Sequence, residues 1–282
     1  LTTHYCIFNG QFFEAAALGL TLENRAFQFG DGLFESICVQ NARPLFLEAH
    51  FKRMQASASS LRLAFPPEWT VSLWQHYIED LCLRNKLSNA RIKIVLYRAG
   101  KGTYFPTSSE SEWLILGSSL AHNWERAIEP SLKLCYFNDF PKTNHPSSLN
   151  KTLSSLLYVL AAQHAQQSQC DEAILLTEAG NISECSSGSL FWVKNGILYT
   201  PSLATFCLPG VLRNELIHLA KNLPIEVREG VYNQQSLAEA EEVFVANAIR
   251  GIRMVKQIES IEYSGQNTCL LIQNTLLDRL QL

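Results

Sequence analysis

Leu149-Asn150-Lys151-Thr152-Leu153-Ser154-Ser155-Leu156-Leu157 is the stretch on which the fold of this chain turns. A turn-rich run, PKTNHPSSLN, leads into the lysine, and an apolar run of helical spacing, TLSSLLYVLAAQHA, leads away from it. The amine of Lys151 is therefore expected at the border of a loop and a helix, where a lysine that sheds its charge becomes a nucleophile. Beyond the helix the period changes. Glu172 to Thr177 reads as a buried strand, residues 178–181 as a turn, and another strand begins at Ile182. Leu190–Lys194 and Ile197–Tyr199 flank Asn195-Gly196, the preferred pair of a type I′ hairpin. A helix is expected over Leu212–Asn222, behind Pro209-Gly210, and a strand over Glu242–Ala246.

Upstream, Asn9-Gly10 joins two strands, His4–Phe8 and Gln11–Ala16, by the same turn chemistry. Strands are expected at Phe34–Gln40, Pro44–Phe46, Arg91–Arg98 and Trp113–Leu120, and helices at Leu47–Leu63 and Trp69–Lys86. The polar, aperiodic residues 121–130 read as a linker, and a strand follows at Leu132–Phe137. Hairpins mixed with helices, without strict βαβ alternation, point to an α+β (mixed α/β) protein of two domains. The boundaries are 1–120 for a small N-terminal domain and 121–282 for a larger C-terminal one.

With 282 residues, 47% hydrophobic and 17% charged, the chain has material for sizeable cores. A net charge of −3 and the lack of a Lys/Arg-rich run argue against nucleic acid and leave small molecules as partners. The eight cysteines are scattered without CxxC or metal-ligand spacing, as expected of buried thiols in a reducing compartment and of a protein without a metal site. LTTHYCIFNG shows no basic segment followed by an apolar one, and no apolar run has membrane-spanning length. A cytoplasmic protein is expected.

Seven segments then fall into one order: FQFGDGLFES (27–36), HFKRM (50–54), LNKTLSSL (149–156), DEAILL (171–176), ISECSSGSLFWVKNGILYTP (182–201), LPGVLR (208–213) and VFVANAIRGI (243–252). Over nearly its whole length the chain resembles the fold-type IV pyridoxal-phosphate enzymes, which include branched-chain aminotransferases, D-amino-acid aminotransferases and aminodeoxychorismate lyases. The resemblance implies a larger domain of β-barrel-like form with helices, pyridoxal 5′-phosphate as cofactor, and a homodimer in which Phe29 and Leu33 meet the partner.

It also implies roles. Lys151 stands in the position of the Schiff-base lysine, and Arg53 in that of the residue clamping the cofactor phosphate through its fork of donors. Glu184 stands where a carboxylate pairs with the pyridine nitrogen and keeps the ring an electron sink. Gly210 and Val211, at a helix start, and Asn247 and Ala248, after a strand, take the phosphate-contacting positions. Phe29, Phe34, Arg98, Lys101 and Arg250 are the candidates for contact with substrate, and Arg253 is a further cation for its carboxylates.

Branched-chain enzymes carry FEGIR where this chain has Phe34-Glu35-Ser36-Ile37-Cys38, and an Asn-Tyr pair where it has Ser155-Leu156. ECSSGSLFW and NAIRGI instead resemble the lyases. The chain departs from them at Ser154 and Ser189, where asparagine is usual, and in AGKGTYFP, which lacks their loop arginine. The lyase reading implies that the amine of 4-amino-4-deoxychorismate displaces Lys151, which then removes a proton, and that pyruvate and 4-aminobenzoate, a folate precursor, are released. The alternatives are an aminotransferase for branched-chain or D-amino acids with a 2-keto acid acceptor, and an inactive cofactor-binding relative.

Overall fold

The computed structural model describes residues 4–121, 124 and 130–282. The linker expected over 121–130 therefore lies largely outside the described residues. The chain divides into two compact units, one of residues 1–123 and 150–154, the other of 124–149 and 155–282. A single cut in the sequence at residue 120 has no way to express the return of 150–154 to the first unit.

The first unit comprises β1 (Tyr5–Phe8), β2 (Gln11–Glu14), α1 (Arg25–Phe29), β3 (Gly32–Gln40), β4 (Arg43–Pro44), α2 (Leu47–Ser60), α3 (Val71–Arg84), β5 (Ala90–Arg98) and β6 (Ser111–Ser119). Its six strands form one antiparallel sheet in the order β2-β1-β6-β5-β3-β4. Asn9 and Gly10 both take positive φ, as the type I′ turn requires. Leu33, Ile37 and Val39 from β3 and Ile92, Ile94 and Leu96 from β5 join Phe51 and Met54 of α2 and Trp74, Ile78 and Leu81 of α3 in the core. Phe51, Phe65, Trp69, Trp74 and Trp113 meet edge to face within it, with centroids 5.1 Å apart for Phe51–Trp74 and 5.3 Å for Trp69–Trp113.

The second unit comprises β7 (Leu132–Lys142), α4 (Leu156–Gln167), β8 (Glu172–Thr177), β9 (Ile182–Cys185), β10 (Ser189–Lys194), β11 (Ile197–Pro201), α5 (Val211–Lys221), β12 (Val227–Gly230), α6 (Gln235–Ala238), β13 (Glu242–Asn247), β14 (Gly251–Ile258), β15 (Ile261–Glu262) and α7 (Asn267–Leu280). Its strands form one mixed sheet in the order β12-β11-β10-β13-β14-β7-β8-β9, with β15 paired to β14. The pairs β11–β12, β14–β7 and β7–β8 are parallel. Ala161 and Ala165 pack α4 against Phe137 and Leu175.

Three elements differ from expectation for identifiable reasons. β7 runs on past Phe137 to Lys142, because a register shift between Phe137 and Lys142 accommodates Pro141, which has no N–H to give the ladder. α4 begins only at Leu156, since residues 150–154 are extended and paired elsewhere. α7 is an added helix. Its buried Cys269, Ile272, Gln273, Leu276 and Leu277 follow helical spacing, and the Glu242 carboxylate accepts from the N–H groups of Thr268 (2.9 Å) and Cys269 (2.8 Å) at its start. No helix among the described residues is long and apolar enough to cross a membrane.

Candidate active site

In the first unit Lys151 lies in an extended segment laid against the start of β3. The Phe34 N–H donates to the Lys151 carbonyl and the Leu153 N–H to the Gly32 carbonyl, both at 2.9 Å, and Leu33 and Thr152 form an antiparallel bridge. Backbone groups expected to enter a helix are thus satisfied by a strand distant in sequence. Glycines permit the approach. A Cβ on Gly32 would lie 2.6 Å from the Leu96 carbonyl oxygen and 2.9 Å from Leu153 Cδ1, and one on Gly30, at φ 63°, 2.5 Å from Ser154 Oγ.

This docking sets the Lys151 ammonium 4.4 Å from the ring centroid of Phe34, and the Lys93 ammonium of β5 lies 4.7 Å from the same centroid. Burial, followed by the charge of Arg91, holds Lys93 below the ordinary lysine range. Sequence reasoning passed over Lys93. Its signal was the alternation in RIKIVLYR, which sends Ile92, Ile94 and Leu96 to the core and Lys93, opposite Ser36, to the other face with Phe34.

Glu35 points the other way along β3, into the layer below α2. Its carboxylate accepts from Arg53 twice, Nε to Oε1 at 2.7 Å and Nη2 to Oε2 at 2.6 Å, and His50 Nδ1 is 2.6 Å from Oε2. Burial alone would raise the Glu35 carboxyl, but the charges of Arg53 and His50 and their hydrogen bonds outweigh it and hold the group at about 2. Burial pushes His50 down against the pull of Glu35. These bonds fix the Arg53 guanidinium in place.

Arg98 donates to Asp31 at 3.1 Å and to the carbonyls of Arg62 and Leu61 at 2.9 and 3.3 Å, and Lys101 pairs with Glu23 on the surface. Phe29 packs on Tyr104 at 5.8 Å, with the Arg25 guanidinium 5.0 Å from its ring centroid. The expectation that Leu33 meets a partner chain is corrected. Its side chain is 1% exposed and lies in the unit's own core, because the strand alternates and Leu33 shares the inward face with Ile37.

In the second unit Glu184, on β9, is 4% exposed. Its Oε1 accepts from Lys142 Nζ at 2.6 Å and from the Tyr158 hydroxyl at 2.8 Å, and its Oε2 from the Leu208 N–H at 3.1 Å. Lys142, at the end of β7, also donates to the Tyr158 hydroxyl and is 3% exposed. Burial, with the charge and hydrogen bond of Glu184, pushes the Tyr158 phenol far above its usual range, so it stays a donor. A carboxylate offers about four lone-pair positions, and three donors leave roughly one for a further N–H.

Gly210 caps α5 without a side chain, and no side chain caps the first N–H groups of that helix, which begins at Val211. A Cβ on Gly210 would fall 2.9 Å from Ser189 Oγ. Asn247 Oδ1 accepts from the N–H groups of Ile249 (3.0 Å) and Arg250 (2.8 Å), and its Nδ2 donates to the Ser187 carbonyl, fixing the turn that holds Ala248. Arg250 is exposed, and Arg253 pairs with the buried Glu172. Unit by unit, these groups fit pyridoxal phosphate: a half-buried amine at Lys151, an uncapped helix start at Gly210 and Val211 for a phosphate, and an open carboxylate position at Glu184 for a ring N–H. Among the described residues no cluster of three or more His, Cys, Asp or Glu is placed to hold a metal ion.

Residues 32–258 match the family model for amino-transferase class IV. The branched-chain-amino-acid aminotransferase of Escherichia coli K12 is 27% identical over 272 residues, 94% of this chain and 88% of that protein. The aminodeoxychorismate lyase of Bacillus subtilis strain 168 is 25% identical over 265 residues, 92% of this chain and 88% of its own. The crystal structure of the Escherichia coli branched-chain aminotransferase superposes with a TM-score of 0.88 at 24% identity, over 99% of this chain and 94% of that one.

Proposed function

The chain belongs to the class IV aminotransferase family, whose members are pyridoxal-phosphate enzymes acting on small molecules, and from that premise we propose that it is an aminodeoxychorismate lyase. The reaction converts 4-amino-4-deoxychorismate to 4-aminobenzoate and pyruvate. The observation that carries this reading is that the two lyase-like segments are built as one piece. ECSSGSLFW and NAIRGI meet where β10 pairs with β13: Ser189 lies opposite Ala246, and Asn247 Nδ2 donates to the Ser187 carbonyl. The sequence of β3 supports it as well. Where the branched-chain pattern has arginine, it carries the Cys38 thiol, which burial pushes up to about 11 and which is therefore neutral.

Bound pyridoxal phosphate supplies an electron-poor ring that accepts the electron pair left when a proton is taken from the carbon bearing the substrate's amine. Lys151 would hold the cofactor through its amine, and its free Nζ would take that proton. The bond from the ring carbon to the enolpyruvyl oxygen then breaks, the oxygen leaves with the electron pair, and the proton returned by Lys151 completes pyruvate. Arg53, fixed by Glu35, and the N–H groups at Gly210, Val211, Asn247 and Ala248 are the groups that would hold the phosphate. Glu184 would accept the ring N–H at its remaining position. Lys93 gives a substrate carboxylate the cation that Cys38 does not, with Phe34 as the floor beneath it. We further assign a homodimer in a reducing, cytoplasmic compartment. Eight free cysteines, Cys170 alone not fully buried, support the compartment.

The identity to the Escherichia coli branched-chain enzyme favours a second reading, an aminotransferase for branched-chain or D-amino acids that uses the same cofactor residues and a 2-keto acid. The deciding assay supplies 4-amino-4-deoxychorismate and cofactor without a keto acid. Release of 4-aminobenzoate and pyruvate, lost in Lys151→Ala, is the expected result. Bound cofactor without release overturns the lyase reading and turns the assay to amino-acid and keto-acid pairs.

A further inference from the structure

Glu184 does not wait alone for a ring nitrogen. Three donors already address it, and one is a full positive charge: Lys142 Nζ, 2.6 Å from Oε1, on a side chain 3% exposed. The other groups facing the carboxylate are the Tyr158 hydroxyl from α4, the Leu208 N–H, and the thiols of Cys185 on β9 and Cys207 beyond β11. Burial first, and then the nearby carboxylates, raise both thiols and the phenol, so all three are neutral at ordinary pH. Arg213, which faces Cys207, is tied to Glu229 and to the Pro201 carbonyl, and Arg253, near Cys185, is paired with Glu172. Among the described residues in contact with Glu184, Lys142 is thus the one that carries charge.

We propose that Lys142 is a positioning residue that sets how tightly the cofactor's ring nitrogen holds its proton, by neutralising Glu184 from the side away from the open lone pair. The proposal rests on the reading of Glu184 as the partner of that nitrogen. With Lys142 present, a protonated ring adds a second positive charge to a buried site whose carboxylate is already matched. Without it, the protonated ring and Glu184 form a neutral pair. Lys142 therefore loosens the proton and weakens the electron sink, while its hydrogen bond, shared with Tyr158, keeps Oε2 turned toward the Leu208 N–H and the remaining position.

The test is a nitrogen-15 titration. Full-length protein and variants are loaded with pyridoxal phosphate labelled at the ring nitrogen, and its chemical shift is followed against pH, without substrate. Lys142→Met is expected to hold the proton about tenfold more tightly, moving the midpoint up by about one pH unit. Lys142→Arg, which keeps the charge, is expected to follow the wild-type curve. Should Lys142→Met not fold, Lys142→Gln, which keeps a donor without charge, is expected to show the upward displacement. Curves for the neutral variants that superpose on wild type overturn the proposal. Glu184→Gln separates it from the reading beneath it: a wild-type curve from that variant means that Glu184 does not face the nitrogen, and a chain that binds no labelled cofactor at all overturns the cofactor site itself.

Discussion

Arg53 meets Glu35 fork to fork, with Nε on Oε1 at 2.7 Å and Nη2 on Oε2 at 2.6 Å, beneath a strand whose next residue back, Phe34, carries the lysine on its other face. Alternation along β3 thus assigns Glu35 to the support of an arginine and Phe34 to the surface where chemistry is proposed.

Removing the Glu35 charge takes the carboxylate away from the half-buried Arg53 guanidinium and from His50. Glu35→Gln is expected to cost about 3–5 kcal/mol of stability near neutral pH. The sign of the pH effect follows from a carboxyl held at about 2 against an ordinary 4.5: its contribution is complete above pH 4.5 and drains away as the pH falls toward 2. The loss is on the order of 3 kcal/mol. Melting temperatures of wild type and Glu35→Gln measured down that range should converge. Parallel curves would mean that the pair contributes nothing.

Gly32→Ala places a methyl against the Leu96 carbonyl and Leu153, both of which must shift. A loss of about 1–3 kcal/mol is expected in urea unfolding. The cofactor absorbance per protein should fall with it, since the displaced segment carries Lys151. Unchanged loading would show that the docking on β3 does not place the amine.

Lys93→Met removes the second cation over Phe34 and leaves the cofactor residues intact. Substrate KM is expected to rise about tenfold or more, the worth of one charge-assisted hydrogen bond, with a smaller change in kcat and an unaltered cofactor spectrum. A fall in kcat at constant KM would place Lys93 elsewhere in the reaction.

Much of the fold was legible because its signals are local. Asn9-Gly10 and Asn195-Gly196 fix hairpins by φ alone, and the alternation of RIKIVLYR marks a strand whatever it pairs with. The site was legible where a motif reports a residue's position, as at Lys151, Arg53 and Glu184, whose roles remain proposals. What escaped depends on contacts between distant segments. Residues 150–154 look like the approach to a helix until β3 satisfies their backbone, Pro141 looks like a strand end until a register shift excuses it, and Leu33 was assigned to a partner until alternation turned it inward. Lys142 and Tyr158, 16 residues apart, carry no pattern that joins them to Glu184.

The return of residues 150–154 to the first unit also orders the protein's birth. A ribosome delivers β1 to β6 before it delivers Lys151, with β7 in between, so every strand of the first sheet is made before the segment that later lies along β3. Lys151 reaches its place only when the second unit is already under synthesis. A nascent chain that ends before residue 150 thus has all six strands of the first sheet and lacks the lysine that lies against it.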